Sequence, residues 1–180
     1  MKPVSGTAAF SAHWETGSKT MATNRRWVVL SILFAAPALA AAQTKWPQFM
    51  PALERGVSEG SMSAVLPNDI VVETPGADVS SERAKWSGKW SGWACRSRKC
   101  DTKLVVEKVS NDGAFIIYAF ASESVKPFTV RLQARFVGEE LQATLEGGAR
   151  VAYRMRDEGD LEFLWWKGGQ SAAGVLSKVQ

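Results

Sequence analysis

Phe128-Thr129-Val130-Arg131-Leu132-Gln133-Ala134-Arg135-Phe136-Val137 alternates apolar and polar side chains. Phe128, Val130, Leu132, Ala134 and Phe136 share one face, and Thr129, Arg131, Gln133 and Arg135 share the other. Successive side chains on a strand point to opposite sides, so a two-residue period describes a strand with one dry face and one wet face. Antiparallel sheets are built from such strands.

The pattern extends toward the carboxyl terminus. Leu141, Ala143 and Leu145, then Val151, Tyr153 and Met155, then Leu161, Phe163 and Trp165 occupy the inward positions, with Gln142, Glu146, Arg154, Arg156 and Glu162 facing out. Gly147-Gly148 reads as a two-residue hairpin turn, and Asn111-Asp112-Gly113, Glu158-Gly159 and Gly168-Gly169 mark other tight reversals. The strands predicted from Trp86 onward are Trp86–Cys95, Thr102–Val109, Ala114–Ala121, Phe128–Val137, Glu140–Leu145, Arg150–Arg156, Leu161–Lys167 and Ala172–Val179. Short connections force sequential neighbours to pair. An all-β, eight-stranded antiparallel up-and-down meander follows, and closing its first strand on its last into a small barrel removes both edges. An open sheet backed by the preceding segment, or a sandwich, would also satisfy the pattern. An eight-stranded barrel is either filled by side chains or just wide enough for one small ligand. Trp90, Phe128, Phe136, Tyr153, Phe163 and Trp165 all take inward positions, which favours a filled interior.

Residues 43–85 differ in texture. Pro47, Pro51, Pro67 and Pro75 with Gly56, Gly60 and Gly76 interrupt any sustained period. This region reads as an irregular arm or linker, with a brief helix over Ala52 to Val57, a short strand over Asp69 to Glu73, and a helical turn at Ser81 to Lys85.

Residues 21–42 read as a signal peptide. Arg25 and Arg26 precede the apolar run Trp27 to Ala36, and Ala38-Leu39-Ala40 and Ala40-Ala41-Ala42 both fit signal-peptidase cleavage. The run is shorter than the ~20 residues that cross a bilayer, and Pro37 ends it. The expected product is a periplasmic or secreted chain starting near Ala41 or Gln43, with no permanent membrane span. Residues 1–20 would be an upstream extension, with Met21 as the start.

Inventory then limits chemistry. The one histidine is His13, upstream of the expected cleavage, so histidine-based acid/base work, His-activated nucleophiles and His-ligated metals are not expected. The chain carries 22 basic and 18 acidic residues, but without the leader the balance is 18 against 17, so basicity does not argue for nucleic acid. Cleavage after Ala42 leaves 138 residues, enough for one domain with a sizeable core.

Cys95 and Cys100 flank a short turn and are expected to form a disulfide in an oxidising compartment, modest in effect because the closed loop is short. A zinc site is the alternative, but two thiolates at this spacing without histidine are poor ligands. No metal and no cofactor are expected. The turn carries Arg96, Arg98 and Lys99, which could meet an acidic partner, a phosphate-bearing envelope component or anionic lipid, or could simply keep an exposed turn solvated. Arg131, Arg135, Arg150, Arg154 and Arg156 could form a basic stripe; nearby Glu140, Glu146, Asp157 and Glu162 favour cross-strand ion pairs instead. Trp93 and Trp166 fall opposite Trp90 and Trp165. Exposed, they would mark a partner surface or the docking place of the arm. Glu107, Glu146, Asp160 and Glu162 read as ordinary surface acids with no cleft between them, so no enzyme is expected.

The segment Trp86-Ser87-Gly88-Lys89-Trp90-Ser91-Gly92-Trp93 after a helical turn resembles the G-x-W opening of lipocalin-like and avidin-like (calycin-like) barrels, in which a tryptophan plugs one end. Together with Leu104-Val105-Val106-Glu107 and Ile117-Tyr118-Ala119, it looks like a small β-barrel domain of exported bacterial proteins. The resemblance implies a fold and a compartment but no activity. Three functions are compatible with these residues: a non-enzymatic module binding another protein or envelope component, a carrier of a small apolar or aromatic ligand, and a protease inhibitor of the small exported barrel type that the chain resembles.

Overall fold

A computed structural model describes residues 44–180; the expected leader and His13 lie outside the described residues. Eight strands succeed one another: β1 (Gly88–Ala94), β2 (Cys100–Val109), β3 (Gly113–Ser122), β4 (Val125–Val137), β5 (Glu140–Thr144), β6 (Arg150–Met155), β7 (Leu161–Lys167) and β8 (Gln170–Val179). Each pairs antiparallel with the next, and β1 also pairs with β8, so the meander closes into a barrel. A short helix α1 (Ser81–Ala84), capped by the Ser80 hydroxyl, precedes β1 at one end. The disulfide hairpin between β1 and β2 stands at the other.

Closure depends on two small residues. A Cβ at Gly92 would fall on the Val175 carbonyl oxygen, and one at Gly174 on the Trp93 carbonyl oxygen. With hydrogen in those positions, β1 and β8 approach to ladder distance.

The inward alternation fills the barrel. Trp90, Leu104, Ile116, Tyr118, Leu141, Tyr153, Leu161, Phe163 and Leu176 are all fully buried. The turns match the reading at Gly168-Gly169, whose positive φ values suit a two-residue hairpin. Gly147-Gly148 is different. A 3-10 turn, Glu146–Gly148, makes a wider loop closed by the Leu145 amide donating to Ala149 O at 2.7 Å. Leu145 and Ala149 are both buried at the barrel mouth, and keeping them covered favours the wider loop over a tight hairpin.

The arm also departs from expectation in two places. The helix expected over Ala52 to Val57 is only a 3-10 turn, Met50–Ala52, followed by extended chain. No strand forms over Asp69 to Glu73, because β2 is already flanked by β1 and β3. Among the described residues a single main-chain bond to the sheet remains: a register shift between Val106 and Lys108 leaves the Glu107 carbonyl free, and the Glu73 amide donates to it at 2.7 Å.

The arm is a girdle rather than a linker. Thr44 accepts from Gln142 on β5, and Trp46 donates to Glu140 and lies under the Arg154 guanidinium of β6. Met50 packs on Leu164 of β7 and Ala173 of β8. The Trp93 indole of β1 donates to Glu54 O, and Asp101 of β2 accepts from the Ala64 amide. Ala64 packs on Ala119 and Ala121 of β3, and Thr129 of β4 donates to Val65 O. All eight strands are touched, and outward residues such as Val105, Ile117, Ala152 and Val175 are buried as well.

Candidate functional site

Places that could meet a partner or ligand include the interior, the two ends of the barrel, and the outer wall where β4 leaves β5.

The interior is occupied by stacked rings. Tyr153 and Phe163 lie 5.5 Å apart between centroids, Phe163 and Tyr118 5.8 Å, and Tyr118 and Phe128 5.7 Å edge to face. The helix end is plugged by Trp86 and Trp90. The Trp90 indole donates to Trp86 O, Trp86 packs edge-on against Phe136, and the Arg83 guanidinium lies 3.7 Å over the Phe136 ring. Burial pushes the Tyr118 and Tyr153 hydroxyls far above their ordinary pKa, although the Thr102 side chain partly opposes this at Tyr118. The Tyr153 hydroxyl has no hydrogen-bond partner among the described residues.

Of the six inward candidates, Trp90, Tyr153 and Phe163 are fully buried. Phe136 and Trp165 are half-buried against the same core. Phe128 departs from the expectation: it faces the same way but is 36% exposed, because β4 runs on past the rest of the wall at the hairpin end. A cleft of about 860 Å³ opens outside the plug, beside Arg83, Trp86, Lys178 and the turn at residues 156–159.

Cys95 and Cys100 form a disulfide at the hairpin end. Two of the three cations of this turn, Arg96 and Arg98, face the arm. Arg96 lies 4.8 Å over the Phe49 ring, and Arg98 lies 5.2 Å over Trp93 and 3.3 Å from the Glu59 carboxylate. Lys99 presents its carbonyl closely to Gly60. Trp93 itself is 2% exposed, on the outward face that alternation gives it and sealed beneath the arm, whose docking there was one of the two readings. Trp166 is half-buried at the margin of the Met50 cluster.

The outer arginines divide into two groups. Arg154 and Arg156 both pair with Glu162, at 2.5 and 3.2 Å, and Arg131 pairs with Asp69 and Glu107 at 2.8 and 3.3 Å. The Arg131 guanidinium holds the Asp69 carboxyl below its ordinary pKa. Arg156 also donates to Met50 O and Leu53 O, tying the arm to the wall. Asp160 and Glu162 are therefore not surface acids: both are buried, Asp160 pairing with Arg55. Arg135 and Arg150, by contrast, have no ion pair among the described residues.

Those two arginines flank a groove that sequence reasoning did not find. β4 pairs with β3 along most of its length but with β5 only through Arg135, Phe136 and Val137. Above that point β4 and β5 part. A cavity of about 320 Å³ lies there, lined by Arg135, Arg150, Trp166, Val137 and the inward residue Ala143. The available signal was the mismatch between the ten residues predicted for Phe128–Val137 and the six for Glu140–Leu145, which the structure widens to 13 against 5. Among the described residues no group of His, Cys, Asp and Glu side chains is arranged to hold a metal.

Compared with family models, curated proteins and solved structures, the chain matches none.

Proposed function

We propose that this chain is an exported, non-catalytic binding module, periplasmic or secreted, that engages another macromolecule from the outside of its barrel. The observation that carries the reading is the packing of Tyr118, Tyr153 and Phe163 across the lumen, which leaves the exterior as the place for recognition. Distant kinship with lipocalin-like and avidin-like barrels belongs to the same proposal and is supported by the Trp90 plug above α1. The packed lumen weighs against a carrier of a small apolar ligand. The arm is engaged along the barrel wall, which weighs against its use as an inhibitory loop. Native mass spectrometry of the protein taken from its own cells tests the reading. A retained macromolecule is the expected mass; a retained small apolar compound would replace this reading with the carrier.

A further inference from the structure

We propose that the free edge of β4 receives an extended acidic segment of another polypeptide as an added strand, a deepening that rests on the macromolecule-binding reading.

Among the described residues, β4 has no main-chain partner on its β5 side from Val125 to Ala134. The direction of its groups follows from one bond. The Phe136 amide donates to Asp112 O, toward β3. Main-chain groups alternate sides along a strand, so Thr129, Arg131 and Gln133 aim their N–H and C=O groups at the open side. Main-chain groups of this kind template another strand. Every other strand junction is paired over a longer stretch than the three residues that join β4 to β5. Pro127 marks the upper end of the edge, where a residue without an amide hydrogen is tolerated.

The surroundings select the occupant. Phe128 is 36% and Val125 40% exposed, offering apolar contact to alternate side chains of an incoming strand. Lys126, Arg131 and Arg135 make every charged residue of β4 cationic, and Arg150 faces the same groove. Two copies of this chain joined edge to edge through β4 would set cations against cations, which destabilises cross-strand pairs. An acidic strand meets Arg135 and Arg150 without displacing any existing ion pair.

The probe is a fluorescein-labelled nine-residue peptide alternating valine and glutamate, titrated against the intact protein by fluorescence anisotropy. Saturable binding is expected. N-methylation of alternate amides on one edge of the peptide should abolish it, because the added ladder needs those donors. Replacing glutamate by lysine, or reversing both cations with Arg135→Glu and Arg150→Glu, should weaken it by about tenfold. Gln133→Pro, with fold checked by circular dichroism, should do the same. Absence of binding, or equal binding of the N-methylated peptide, overturns the assignment. So does a dimer in sedimentation that Gln133→Pro dissolves, which would make a second copy the occupant. A cellular partner recovered by mass spectrometry alongside a silent anisotropy titration would reject this edge while leaving the broader reading intact.

Discussion

The indole N–H of Trp93, on the outer face of β1, donates to the main-chain carbonyl of Glu54 at 3.1 Å, joining barrel and arm across 39 residues of chain. The ring is then sealed from water, with the Arg98 guanidinium above it.

Trp93→Phe keeps most of the ring packing but deletes that donor. It should cost about 1 kcal/mol in urea unfolding. Trypsin should also cut faster at Arg55, whose side chain is 62% exposed. An unchanged cleavage rate would mean that this bond does not hold the arm.

Glu162 is 4% exposed and accepts from both Arg154 and Arg156. Arg156 in turn grips two arm carbonyls. Glu162→Gln leaves two guanidiniums without their carboxylate, and should cost roughly 3 kcal/mol in equilibrium unfolding while loosening the arm at Met50. Hydrogen exchange at the Leu53 amide, bonded to Met50 O, provides the local readout.

Tyr153→Phe should leave stability unchanged or raise it by up to about 1 kcal/mol. Its hydroxyl is buried without a partner among the described residues, so removing it deletes a desolvated polar group rather than a hydrogen bond. A clear loss of stability would show that the hydroxyl is bonded in solution.

The chain holds two tyrosines, Tyr118 and Tyr153, and burial raises both pKa values. Below pH 10 neither state loses a tyrosine proton, and this contribution is fully present. Above pH 10 the unfolded chain ionises while the fold keeps its protons, so stability falls by up to about 1.4 kcal/mol per pH unit for each tyrosine. Tyrosinate absorbance near 295 nm should stay flat and then appear together with unfolding. A gradual titration near pH 10 in the folded protein would contradict the packed interior.

Why so much of the barrel was legible is visible in β4 and β7. The alternation of Phe128 to Phe136 and of Leu161 to Trp165 is a direct imprint of one face meeting a core, and the intervening turn residues left pairing between neighbours as the only arrangement. The arm carried no such imprint. Its contacts are main-chain bonds to Glu54, Ala64 and Val65 and small apolar insertions by Met50 and Ala64, none of which leaves a periodic trace.

By itself, then, the order of residues determined the all-β class, the eight strands and the inward set led by Trp90, Tyr153 and Phe163, because side-chain alternation is a local consequence of strand geometry. Tertiary structure alone decided that Trp93 lies buried, that Glu162 is shared by two arginines, and that β4 outruns β5 to leave an open edge. Those outcomes depend on how far each strand extends before its neighbour turns away and on where a non-periodic arm comes to rest, and both are set by contacts between residues distant in the chain.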